Sequence, residues 1–95
     1  MKAIFESQNN DLYIDGKRVL KGWESYSGWY WFATEKIREQ ISLINDKEIK
    51  DTIWFGYVQG IVEEWGYFSQ AEIESLSPKT WLIPQENLPF SGRRN

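Results

Sequence analysis

"GWYWFATE", residues 28–35, decides how this chain folds. Trp29, Tyr30, Trp31 and Phe32 are four aromatic residues in succession. Rings and β-branched side chains favour a pleated surface, so 29–37 is expected to be a strand. Side chains of a strand alternate between its two faces, so Trp29 and Trp31 share one face and Tyr30 and Phe32 the other. A strand with one wet face alternates apolar with polar, and this one does not. Both of its faces therefore call for cover. "TIWFGYVQG" (52–60) has the same character and is the expected partner, and "IVEEWGYFS" (61–69), entered through Gly60, adds a third strand.

Outward from this centre the pattern stays that of an antiparallel sheet. "KAIFES" (2–7), "DLYID" (11–15) and "KRVLKG" (17–22) are short strands separated by the turns "QNN" (8–10) and Asp15-Gly16, so the chain opens on a meander. "WESYSG" (23–28) has loop composition. In 38–51, Ile37, Ile41 and Ile44 fit helical spacing, but Asn45-Asp46 is a turn pair and the segment is polar. A long, mobile hairpin connection is expected there. Ser69-Gln70-Ala71-Glu72 has the form of a capping box. The Ser69 hydroxyl would accept the Glu72 amide hydrogen while the Glu72 carboxylate reaches back to the Ser69 amide. The helix it starts, 70–76, should stop before Pro78. "TWLIP" (80–84) is a last edge strand. The expected fold is α+β, an antiparallel sheet of about five or six strands with one short helix, forming a single domain over 1–90 with a flexible tail at 91–95.

Composition narrows the function by exclusion. A chain of 95 residues makes one small domain, and its 17% aromatic content supplies core efficiently. There is no Cys, so no disulfide is expected and a reducing cytoplasm suits the chain. A net charge of −3 argues against nonspecific nucleic-acid binding. No apolar run approaches the roughly 18 residues of a membrane span, and "MKAIFESQNN" lacks the pattern of a signal peptide.

Ala33-Thr34-Glu35, Phe55-Gly56-Tyr57-Val58-Gln59-Gly60, Glu64, Gly66-Tyr67-Phe68-Ser69, Glu72 and Ile83-Pro84 together carry a resemblance. Residues 28–84 resemble a bacterial family grouped as domain of unknown function 2958, small proteins borne on plasmids and mobile elements. Here Val62 and the adjacent pair Glu63-Glu64 replace alternating acids, and Trp65 stands where a smaller aliphatic is usual. The resemblance implies a mobile-element setting and a shared fold, and it implies no chemistry.

With no His and no Cys there is no Ser-His-Asp triad, thiol nucleophile or ordinary zinc site, and no phosphate-cradling glycine motif occurs. No cofactor is expected. Carboxylates remain: Glu35, Glu63 and Glu64 on or beside aromatic strands, with Glu24 and Asp51 at their entrances. Two of them across a cleft could act on a glycosidic bond or hold a hard cation. As solvated outward positions, or partners of Lys36 and Arg38, they do neither. The rings Trp23, Tyr26, Trp29, Trp31, Trp54 and Trp65 are either core or a surface for a partner or ligand. Lys17, Arg18, Lys21, Lys36 and Arg38 are the cations that base stacking would need, and the overall acidity opposes it. Arg93 and Arg94 read as solubilising tail residues.

Three functions are consistent with this pattern. The first is a non-enzymatic accessory or inhibitor protein that binds another protein through aromatic and acidic residues, of which an anti-defence inhibitor is one form, with a homodimer as a further arrangement. The second is a small-ligand or glycan-binding module with Glu35 or Glu64 orienting the ligand. The third is a carboxylate hydrolase.

Overall fold

The computed structural model describes residues 2–92. Arg93 and Arg94 lie outside the described residues. The chain is antiparallel sheet with short helices, as its residue pattern predicts. The elements are β1 (Phe5–Gln8), β2 (Asp11–Ile14), β3 (Lys17–Arg18), β4 (Lys21–Ser25), β5 (Tyr30–Ile44), β6 (Lys47–Gln59), β7 (Glu63–Ser69), α1 (Gln70–Glu74) and β8 (Thr80–Leu82), followed by a 3-10 helix at Gln85–Phe90. Five or six strands become eight, because the opening meander forms a separate three-stranded sheet, β1-β2-β3. The main sheet runs β7-β6-β5-β4-β8.

Three two-residue hairpins share one local rule. Asn9-Asn10, Asp15-Gly16 and Asn45-Asp46 all have positive φ at both central positions. That geometry matches the right-handed twist of the flanking strands, and Asn, Asp and Gly reach it at least cost. Asp46, at φ 64°, carries a Cβ where glycine has none. Asp46→Gly is expected to raise stability by about 0.5–1 kcal/mol, read as a higher urea midpoint with an unchanged slope.

The segment 38–51 is not a mobile connection. It is the distal half of β5 and β6, a ribbon paired in unbroken register from Arg38↔Ile53 to Ile44↔Lys47. Nor is it helical, since Ile41 lies opposite Lys50 and Ile44 opposite Lys47, on opposite faces of the ribbon. Residues 23–25 likewise belong to β4 and not to a loop; only 26–28 form the turn, closed by Gly28 at φ 89°. Two β-bulges in β5, at Thr34 and Ile37, bend the sheet between its packed half and the ribbon.

The two faces of the aromatic strand are covered by different elements. On one side Trp23, Ala33, Trp54 and Ile73 form a buried cluster, with Trp31 and Phe68 packed against it. This is the side α1 covers. On the other side Phe32 and Tyr57 pack with Leu12, Ile14 and Val19 of the meander and with Ile83 and Leu88. The segment after β8 is therefore docked: Leu88 and Pro89 are buried, and a Cβ on Gly92 would come within 2.5 Å of the Phe32 ring. Ordered chain extends into the stretch expected to be tail.

Asp51 fastens the ribbon to α1. Its carboxylate is only 4% exposed and accepts hydrogen bonds from Ser42 Oγ (2.7 Å), Ser69 Oγ and the Ala71 amide (2.8 Å). Ser69 caps the helix as expected, accepting the Glu72 amide at 3.1 Å. The reciprocal half of the capping box is replaced, because it is Asp51 that receives the Ser69 hydroxyl and an N-terminal amide of the helix.

Candidate functional site

The candidate residues do not form one site. Trp23 and Trp54 are core: their rings lie 6.4 Å apart at 54°, and their indole N–H groups donate to Glu74 (3.3 Å) and Gln70 (2.9 Å). A buried indole needs such an acceptor, and both have one. Neither ring can meet a partner.

The carboxylates are not convergent either. Glu63 lies opposite Gln59 and Glu64 opposite Val58, so the adjacent pair points to opposite faces. Glu35 lies opposite Phe55, four residues along β6 from the Glu63 position, which is about 13 Å at strand spacing. That is beyond the roughly 5–9.5 Å that paired glycosidase carboxylates use. Glu63 instead accepts the Tyr57 hydroxyl (2.8 Å) and Gln59 Nε2 (3.2 Å). Burial and the neighbouring Glu63 carboxylate push the Tyr57 hydroxyl up to about 12, so it stays a donor. Glu24 accepts the Tyr30 hydroxyl at 2.9 Å. These acids satisfy phenols and are not arranged for acid–base work. Among the described residues no three acids gather where they could hold a metal ion.

Trp65 packs against the Phe32–Tyr57 cluster, at the margin of that core, in a ladder of rings across β6 and β7. It stacks on Phe55 at 5.9 Å and meets Tyr57 edge-on at 5.3 Å. Lys17 lies over it at 5.1 Å, so the meander closes this ladder at one end.

Tyr26, Trp29 and Trp31 do come together. With Leu76, Lys79 and Thr80 they line an open cleft of about 330 Å³ between the β4–β5 turn and the segment after α1. Trp29 and Trp31 stack with centroids 5.8 Å apart and planes at 29°. Two local features hold this arrangement. The first is Gly60, which lies so close under Trp29 that a Cβ there would come within 2.4 Å of the ring. The second is Ser25, whose hydroxyl accepts the Trp29 amide hydrogen (3.1 Å) and shares a hydrogen bond with Ser27 (2.9 Å). Tyr26 is 73% exposed and Trp29 36%, so the rings are set in place without being buried.

The chemistry of the cleft is that of an apolar slot with one cation. The Ser25 and Ser27 hydroxyls serve each other, and Thr80 Oγ1 donates to the Ile73 carbonyl at 2.7 Å. No carboxylate lines it. Leu76 and Lys79 were not anticipated as site residues. They sit on either side of Ser77-Pro78, about fifty residues after the rings, and only the fold brings them to Trp29. Comparison with protein-family models, with curated proteins and with solved structures finds no match to this chain. No helix is long and apolar enough to cross a membrane.

Proposed function

We propose that this chain is a non-enzymatic accessory or inhibitor protein that binds another protein, seating an apolar side chain of that partner in the Tyr26–Trp29–Trp31 cleft. The observation that carries this reading is the cleft itself. Tyr30 and Phe32 are spent on one core and Trp31 leans on the other, while Trp29, held by Gly60 and Ser25, and Tyr26 keep their surface open. Tyr and Trp presented in this way are the side chains that most often anchor protein interfaces. Lys79, with no carboxylate beside it in the cleft, favours a partner residue flanked by an acid. A sugar would need several hydroxyl donors and acceptors, and the Ser25, Ser27 and Thr80 hydroxyls are already paired. An orienting Glu is also missing, which sets this reading above the glycan module and the hydrolase.

The test is site-specific photocrosslinking in the producing cell, with a benzophenone side chain in place of Tyr26 and, separately, of Tyr67 on the β6–β7 surface. One protein is expected to be captured at position 26 and not at 67, and Trp29→Ala is expected to lower its yield at least tenfold. Equal capture at both positions, or capture indifferent to Trp29→Ala, overturns the proposal.

A further inference from the structure

We infer that the free edge of β5 is a self-association surface, on which a second copy of this chain adds its own β5 antiparallel to the first. Beyond Ala33 no strand pairs with β5 on the β4 side, since β4 ends its pairing at Lys21↔Ala33. On the far side β7 ends at Ser69, opposite Ile53, and the unpaired stretch of β6 beyond Asp51 carries Lys47, Glu48 and Lys50. Charged side chains defend that edge, so the undefended edge is that of β5.

Its two halves differ. The first half carries both bulges, at Thr34 and Ile37, together with Lys36 and Arg38, and bulges and cations are what keep an edge from pairing. From Gln40 to Ile44 the strand is regular and carries no charged side chain. Here Ile41 is 60% and Leu43 69% exposed. They lie opposite Lys50 and Glu48, so the apolar members of these two rungs are on the edge strand and the charged members inside. A further strand along this edge would cover Ile41 and Leu43 and leave the charges in water.

A second copy fits this edge by its own sequence. Two-fold pairing centred on Ser42 keeps each side chain on its face and sets Ile41 of one copy against Leu43 of the other, twice. Within Gln40–Ile44 the same register sets Gln40 against Ile44 and places no like charges opposite each other. Each copy has one such edge, and the assembly closes at two. A two-stranded ribbon, marginal by itself, then becomes the centre of a four-stranded one.

Sedimentation equilibrium from about 1 to 200 μM tests this, on the full chain and on Ile41→Lys/Leu43→Lys, with near-UV circular dichroism to report the fold. Both substituted side chains are exposed, so the variant is expected to keep the native spectrum. The full chain is expected to sediment as a dimer in this range and the variant as a monomer, with at least a hundredfold weaker association. A full chain that is monomeric throughout overturns the inference, as does a dimer that both substitutions leave intact or an assembly that grows beyond two. If the variant loses its spectrum, Leu43→Pro takes its place under the same criteria: Leu43 lies opposite Glu48, next to the pair that closes the two-residue turn, so its amide points away from β6 and toward the edge.

Discussion

Gly56→Ala is expected to destabilise the protein by about 3 kcal/mol or more, whereas Gly66→Ala, one strand away on the same rung, is expected to change stability by less than about 1 kcal/mol. Gly66, Gly56 and Ala33 lie side by side across β7, β6 and β5. A Cβ on Gly56 would fall 1.8 Å from the Phe32 carbonyl oxygen and 2.8 Å from its carbon. These are backbone atoms of the neighbouring strand, which no rotamer change can move. Gly56 is opposite the first bulge of β5, where the strands close in on each other. A Cβ on Gly66 meets nothing within 4 Å. With total stability of about 5–15 kcal/mol for a domain of this kind, the first substitution removes a large share of it. In urea the Gly56→Ala midpoint should fall by about 1 M or more, given slopes of roughly 1–3 kcal/mol per molar. Equal midpoints for the two variants would refute the close approach at Gly56.

Asp51→Ala should cost about 3 kcal/mol, because it leaves two hydroxyls and a helix N-terminal amide without their acceptor at a nearly closed site. Asp51→Asn should cost less, since the amide oxygen can still accept. The carboxylate also ties stability to pH. Burial is the largest single influence and pulls its pKa upward, but hydrogen bonds from Ser69, Ser42 and the amides of Ala71 and Thr52 together outweigh it. The folded carboxyl therefore titrates below its ordinary 3.8. Its contribution is complete above the unfolded value and is lost as pH falls through the folded one. Melting temperature in the native protein should decline as pH drops below about 4, and the decline should be shallower in Asp51→Asn. An unaltered profile in Asp51→Asn would remove Asp51 from this role.

The central hairpin and the three tight turns were legible in the residues because each is a local rule. Rings fill a strand, and Asn, Asp and Gly take positive φ. The ribbon was not legible, because its burial alternates against its hydrophobicity: Gln40 and Ser42 are half-buried while Ile41 and Leu43 are exposed. Ile37 adds to the confusion by sitting in a bulge, which gives a helical spacing to residues that share no helix. Trp23 read as a site residue because Ser and Gly surround it, yet β4 carries it into the core. The docked 85–90 segment hid for a related reason: Leu88-Pro89-Phe90 is too short to show a period, and only tertiary packing buries Leu88 and Pro89 while leaving Phe90 exposed. Of the cleft, the rings could be named in advance, while Leu76, Lys79 and the support from Gly60 depend on strands that meet far apart in sequence.

The cluster around Phe32 draws on Leu12 and Ile14 near one end of the chain and on Ile83 and Leu88 near the other. During synthesis the hairpin of β5 and β6 leaves the ribosome well before those last residues. Until Ile83 and Leu88 emerge, Phe32 and Tyr57 lack the final members of their cluster, and the nascent chain carries an incompletely covered aromatic face. Completion of this cluster is thereby deferred until residues 83–88 have been made.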